Sequence, residues 1–359
     1  MEPVNIEEYY EYAKSKLAKM AFDYYDSGAE DQITLKKNHS DFSHFSFLPR
    51  VLRKVGKVDI SCKIFNHNYT MPIMIAPTAM QRLAHDDGEC ATVRAAVKLN
   101  NLMVASCWSN HSIEHISKMR EQQPLWAQVY IYKDRALTTD YVQRAKEAGI
   151  SALCLTVDTP KLGRRERDIR NKFTLPAHLS LGNFVGLQAQ LESNKEQLSS
   201  GLSEYVGKQI ESDLGWDDLD WLRNMADMPV ILKGVMHPED ARQGLEHGCA
   251  GIWVSNHGGR QLDGTISTIR ALAEVSKEVN KKVPVFFDGG IRRGTDVLKA
   301  IALGADAVFV GRPVLWGLAY NGEAGVVRVC SMLKEELELS MALLGVNSIQ
   351  DISVEHLRV

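Results

Sequence analysis

The sequence predicts an α/β protein built as a (β/α)8 barrel, with an N-terminal helical cap and a long insertion after the fourth strand. Two observations lead there. About eight short apolar runs alternate with helical stretches along the chain. At nearly every run, polar residues gather at the C-terminal end, where barrel enzymes keep their chemistry.

The runs are Pro72–Ala76, Leu102–Ser106, Trp126–Ile131, Ala152–Val157, Val230–Lys233, Gly251–Ser255, Val283–Phe287 and Ala307–Val310. Each is apolar on both faces, as a parallel strand covered by helices must be. Between them, Asp134–Ala148, Pro238–His247 and Gly294–Leu303 have helical patterning, and each is closed by a glycine that suits a C-terminal cap. Pro238 and Glu239 fit a helix start. A doubly wound open sheet is the competing architecture, but no G-x-G-x-x-G follows the first strand.

The chain of 359 residues therefore reads as one domain: a cap over 1–71, a barrel over 72–320 and C-terminal helices over 321–359. Ile6–Asp26 reads as helical. The wide gap between Val157 and Val230 predicts an insertion, about 164–229, on the active face. Its polar middle, with Ser199, Ser200 and Gly201 in a row, fits a substrate lid or a solvated helical decoration.

Composition narrows the function. With 45% hydrophobic and 24% charged residues and a net charge of -3, the chain fits neither a disordered segment nor a nucleic-acid binder. No apolar run is long enough for a membrane helix, and the acidic N-terminus lacks a secretory signal. The six cysteines are scattered without a C-x-x-C, which predicts reduced intracellular thiols rather than disulfides. His111 and His115 are spaced i, i+4 but lack H-E-x-x-H, so no metal is expected.

The strand ends supply the candidate site. Gly289 and Gly290 after strand seven and Gly311 after strand eight let backbone amides approach a phosphate, and Arg292 and Arg312 can fork onto its oxygens. His257, in a glycine-flanked loop after strand six, is the candidate general base, with Asp158 after strand four to orient it. Arg165 and Arg260 suit a carboxylate, although Arg165 in a charge-rich run also fits a surface ion pair. Lys233 at a buried strand end needs a partner, and a cation there suits either an internal ion pair or an anionic cofactor. For Tyr24 and Tyr25, packing of the cap is an open alternative to a functional role.

Several stretches together carry a resemblance. They are Phe22-Asp23-Tyr24-Tyr25-Asp26-Ser27-Gly28-Ala29, Met74-Ile75-Ala76-Pro77-Thr78-Ala79, Thr156-Val157-Asp158-Thr159-Pro160-Lys161-Leu162-Gly163-Arg164-Arg165, and Ser255-Asn256-His257-Gly258-Gly259-Arg260-Gln261-Leu262-Asp263. From about Val4 to Ile352 the chain resembles the flavin-dependent 2-hydroxy-acid oxidases and dehydrogenases, most closely the plant type of glycolate oxidase.

The resemblance implies FMN across the barrel mouth. Pro77, Thr78, Ala79, Ser106, Gln128 and Thr156 would line its ring and ribityl chain, and Tyr130 would lie beside them. Lys233 and Ser255 would contact the ring edge. Asp288, Gly289, Gly290, Ile291, Arg292, Gly311 and Arg312 would hold the ribityl tail and phosphate. Arg165 and Arg260 would bind the substrate carboxylate, with Tyr24 and Tyr130 on carboxylate and hydroxyl oxygens. His257 would take a proton and Asp158 would stabilise the imidazolium.

The implied reaction converts a small L-2-hydroxy acid, glycolate foremost, to a 2-oxo acid, with molecular oxygen reduced to hydrogen peroxide. Trp108 would limit the substrate side chain. Leu83 stands where the plant type more usually has Met, and Cys107 where Ser is common; either change favours lactate as an alternative substrate. A dehydrogenase with a non-oxygen acceptor is the other alternative. The resemblance further implies a homotetramer and a peroxisomal location, although Leu357-Arg358-Val359 fits the Ser-Lys-Leu-type address poorly and a cytoplasmic location is the alternative.

Overall fold

The computed structural model describes residues 2–184 and 207–358. Eight parallel strands form a closed barrel. We number them β1 (Ile73–Ile75), β2 (Met103–Ala105), β3 (Leu125–Val129), β4 (Ala152–Thr156), β5 (Val230–Val235), β6 (Gly251–Val254), β7 (Val285–Asp288) and β8 (Ala307–Val310). Closure comes from β8 pairing in parallel with β1, Phe309 opposite Met74. Each expected apolar run overlaps one of these strands, with ends moved by a residue or two. β7 runs one residue past its expected end, to Asp288, and β5 two, to Val235, with an irregular register between Lys233 and Val235.

Two shells of apolar packing hold the barrel. Inside, Met74, Val104, Trp126, Trp253, Phe286 and Phe309 form one cluster. Trp253 and Phe309 lie with ring centroids 3.9 Å apart. Burying an aromatic side chain of this size contributes about 1.5–3 kcal/mol. A short hairpin unforeseen from the sequence, Cys62–Ile64 with His67–Tyr69, adds Ile64 and Tyr69 to this interior cluster. Outside, the helices lay their apolar stripes on the outer strand faces.

The helices follow their local signals. Asp134 caps Arg135–Glu147 by accepting from the Ala136 amide, and Gly149 follows at φ 76°. Helix Pro238–Glu246 begins on the expected proline. The long C-terminal segment Arg312–Leu344 is interrupted by non-helical backbone at Asn321 and Gly322.

The N-terminal region differs from expectation. Ile6–Asp26 is two helices, Ile6–Lys16 and Lys19–Asp26, with extended backbone at Leu17 and Ala18 between them. The break lets the second helix bury Ala21, Phe22, Tyr24 and Tyr25, a tertiary gain that outweighs helix propensity at two positions. Of the expected lid, residues 185–206 lie outside the described residues. The described parts include helix Glu166–Asn171 and the buried side chains Phe173, Leu179, Leu181 and Phe184. No helix among the described residues is long and apolar enough to cross a membrane.

Candidate active site

The C-terminal strand ends and the N-terminal helices line an open cleft. The strand-end residues converge there because all eight parallel strands point the same way. Pro77, Thr78 and Ala79 follow β1, and Ser106 and Trp108 follow β2. Gln128 comes from β3 with Tyr130 just after it, Thr156 from β4 and Lys233 from β5. Arg165, His257 and Arg260 stand in loops beyond β4 and β6, and Asp288 to Arg292, Gly311 and Arg312 close the ring. Tyr24 reaches the cleft from the cap.

Two expected residues stand behind the lining. Asp158 accepts from His257, with its Oδ1 2.9 Å from Nδ1. Ser255 is fully buried; it receives a hydrogen bond from Lys233 at 3.0 Å and donates to Asp288 at 2.8 Å. Ser255 thus links the Lys233 ammonium to the Asp288 carboxylate at the edge of the cleft.

The base is held in one orientation. With Nδ1 committed to Asp158, the Nε2 of His257 is the ring nitrogen left for the cleft. Residue 257 has φ 58°, followed by Gly258 and Gly259 at 64° and 73°. A non-glycine in this region costs about 1–3 kcal/mol and recurs at functional sites. Burial pushes the His257 imidazolium pKa down, and the Asp158 charge and hydrogen bond only partly restore it. For Asp158, burial acts to raise the carboxyl pKa, but His257, Lys233 and Thr159 outweigh it and hold it below the usual range.

The walls are cationic and aromatic. Arg260 donates through Nη1 to the carbonyls of Tyr24 (2.6 Å) and Ser27 (2.9 Å), and its guanidinium lies 5.1 Å from the Tyr24 ring centroid. Tyr24 stacks on Phe173 at 4.5 Å. Arg165 is buried and touches the Arg260 carbonyl and the Gln261 side chain. Burial and the neighbouring Arg165 lower Arg260 to about 10. Burial raises the phenols of Tyr24 and Tyr130, so both are neutral hydrogen-bonding groups.

A second cationic region lies below β7 and β8. Arg312 donates to the carbonyls of Tyr25, Ser27 and Gly258. Burial, Arg260 and Arg292 lower it to about 9. Burial also brings Arg292 down to about 10, and burial with Arg292 and Arg312 takes His39 to about 3. The guanidinium hydrogen bonds of Arg312 go to neutral carbonyls and those of Arg292 to the Ile291 carbonyl and His39, so this buried positive charge suits an anionic phosphate. Gly290 has φ 82°, and a Cβ there would lie 1.7 Å from the Asn38 carbonyl oxygen, so only glycine brings this loop against the cap.

Sequence reasoning missed the cap residues Leu35, Asn38 and His39, which line the cleft without any local motif. It also missed Tyr132, whose hydroxyl accepts from the Trp108 indole at 2.9 Å. That bond fixes the ring that was read as a size limit.

FMN fits these residues. The basic, glycine-rich end suits its phosphate, the Gln128–Thr156 hydrogen-bonded layer suits a polar ring edge, and Lys233 suits the charge of a reduced ring. Residues 13–359 match the FMN-dependent dehydrogenase family. The chain is 51% identical to glycolate oxidase 3 of Arabidopsis thaliana over 358 residues, covering 100% of this chain and 96% of the relative. A lactate oxidase structure from Pediococcus acidilactici superposes with a TM-score of 0.89 at 37% identity, covering 98% of this chain and 93% of that one. A variant of mandelate oxidase with (S)-mandelic acid gives 0.89 at 35% identity, covering 99% and 98%. The whole barrel and its cleft thus have relatives at full length, and the chain belongs to the FMN-dependent dehydrogenase family.

Proposed function

We propose that the chain oxidises small L-2-hydroxy acids, glycolate foremost, to 2-oxo acids, with molecular oxygen as acceptor and hydrogen peroxide as product. The observation that carries this reading is His257, backed by Asp158, set beside Arg165 and Arg260 in one cleft. The full-length likeness to a glycolate oxidase supports it.

FMN, held by the residues after β7 and β8 and by Lys233, supplies a two-electron acceptor when bound. The chain's own residues do the rest. Arg165 and Arg260 clamp the substrate carboxylate and fix which face of the α-carbon is presented. Tyr24 donates to a carboxylate oxygen and Tyr130 to the hydroxyl oxygen. His257 Nε2 removes a substrate proton, and Asp158 stabilises the charged imidazole through Nδ1. Trp108, pinned by Tyr132, sets the length of the substrate side chain. Lys233, with Ser255 and Asp288 beneath it, holds a positive charge where the cofactor would gain a negative one; burial lowers its ammonium pKa, but Asp288 and Asp158 more than restore it.

L-Lactate is the second substrate reading, favoured by Cys107 beside Trp108 and by the likeness to a lactate oxidase. A homotetramer with a peroxisomal location belongs to the same proposal and rests on the resemblance. The test is anaerobic addition of glycolate to the purified yellow protein. Bleaching of the flavin bands, followed by their return in air with peroxide formed, is the expected result. Sluggish return would assign a dehydrogenase. Faster bleaching by L-lactate would reverse the substrate order. A protein that takes up no FMN would overturn the reading.

A further inference from the structure

Outside the cleft, the fold brings Cys90 to the i, i+4 pair His111 and His115, a group of side chains able to hold a metal that sequence spacing alone does not complete. Cys90 lies in the first turn of helix Gly88–Lys98, His111 in the loop after β2, and His115 in helix Ile113–Lys118. One ligand atom from each lies within 4.8 Å of the other two. The two imidazole rings are stacked, with centroids 5.1 Å apart and planes 24° from parallel.

The surroundings orient these groups as a metal site requires. The Glu89 side chain is fully buried. Its Oε1 accepts the Gln81 and Asn110 amides, both at 3.0 Å, and its Oε2 lies 3.0 Å from His111 Nδ1. A carboxylate on Nδ1 fixes the tautomer and leaves Nε2 as a lone-pair donor, the usual outer partner of a metal-bound histidine. Cys90 is buried, whereas His115 is exposed and free to swing inward. No contact places this cluster in the FMN cleft: none of the three residues lines it.

We propose that Cys90, His111 and His115 bind a zinc ion, with a water in the fourth position. One thiolate and two imidazoles form a borderline-soft set that suits zinc in tetrahedral geometry. Bonds of about 2.3 Å to sulfur and about 2.0–2.1 Å to nitrogen require the ligand atoms to draw together by roughly an ångström, which the exposed His115 allows. On binding, the Cys90 thiol releases its proton to solvent and its sulfur lone pair goes to the metal; no electron is transferred. The ion would brace the helix after β1 against the loop after β2. That loop carries Trp108, and its Asn110 side chain already accepts the Arg82 amide at 3.0 Å. The role is therefore bracing of the substrate rim, without any part in the redox step.

The test uses tag-free, FMN-loaded protein, stripped with chelator and dialysed against zinc chloride, with zinc per chain and thermal midpoint as readouts. One zinc per chain and a midpoint that rises with zinc are expected. Cys90→Ser and His115→Ala are each expected to weaken zinc binding by at least about tenfold at unchanged flavin content. Should buried Cys90→Ser fail to fold, the exposed His115→Ala decides alone. Cobalt substitution adds a check, since a thiolate-to-cobalt charge-transfer band should be present in the wild type and lost in Cys90→Ser. Wild-type protein without bound zinc, or a His115→Ala variant that binds zinc as tightly as wild type, would overturn the proposal.

Discussion

His257 and Asp158 stand 99 positions apart in sequence, yet Nδ1 of one lies 2.9 Å from Oδ1 of the other. The second oxygen of Asp158 is buried without a hydrogen-bond partner among the described residues. The carboxylate therefore spends its directed interactions on His257 and Thr159. An oxygen buried this way is tolerated where it supplies charge to a neighbour, here the imidazole that must become positive during turnover.

Replacing Asp158 by Asn keeps the volume and removes the charge. The imidazole loses both its tautomer lock and its counter-charge, so kcat should fall by about 10²–10⁴-fold. Flavin content should stay at the wild-type level, because Asp158 does not line the cleft. Steady-state turnover with a visible spectrum of the same sample checks both. A variant with near wild-type kcat would remove Asp158 from the mechanism.

The pH profile carries a sign. His257 must be neutral to accept a proton, and burial lowers its pKa in the folded protein. The base form therefore persists to a pH below that of an ordinary imidazole, about 6.5. kcat/KM should be flat through neutrality and fall about tenfold per pH unit below the lowered pKa. Asp158→Asn, which removes the influence that raises the pKa, should move the acid limb lower still. An acid limb above about 6.5 in the wild type would contradict the assignment.

Arg260 presents a planar fork, with Nη1 already committed to the carbonyls of Tyr24 and Ser27. Lysine at this position keeps the charge but loses the fork and its stacking on Tyr24. Arg260→Lys should lose about 1.5–3 kcal/mol of substrate interaction, or about ten- to a hundredfold in kcat/KM, mostly through KM. Substrate titrations under air give the split.

Trp108→Ala removes the ring pinned by Tyr132 and should raise activity on long-chain 2-hydroxy acids relative to glycolate. Tyr132→Phe leaves the ring but takes away its hydrogen bond, and should relax the same preference by a smaller factor. Competition between glycolate and a long-chain substrate reads both. Unchanged preference in Trp108→Ala would show that the size limit lies elsewhere.

The barrel was legible because parallel strands buried on both faces leave uninterrupted apolar runs, and because their common direction sends every polar strand end to one rim. His257, Lys233 and Arg312 could be found by that logic alone. Asn38 and His39 could not: they reach the cleft because Gly290 lets a loop meet the cap backbone, a contact between segments remote in sequence. The break at Leu17–Ala18 escaped for the same kind of reason, since a burial demand rather than a local signal sets it. Ser255 stands just past β6, and its link between Lys233 and Asp288 is a contact that only the assembled barrel brings together.

The Arg312 hydrogen bonds to Tyr25 and Ser27 join residues 287 and 285 positions apart. A chain emerging from the ribosome presents its first helices long before the last guanidinium that fastens them exists. Arg260 can fasten Tyr24 and Ser27 earlier, but the last fastening of the cap waits for β8 and Arg312. Docking of this segment is therefore a late, non-local event in folding. The same closing step that shelters the cleft also marks the end of synthesis of its cationic floor.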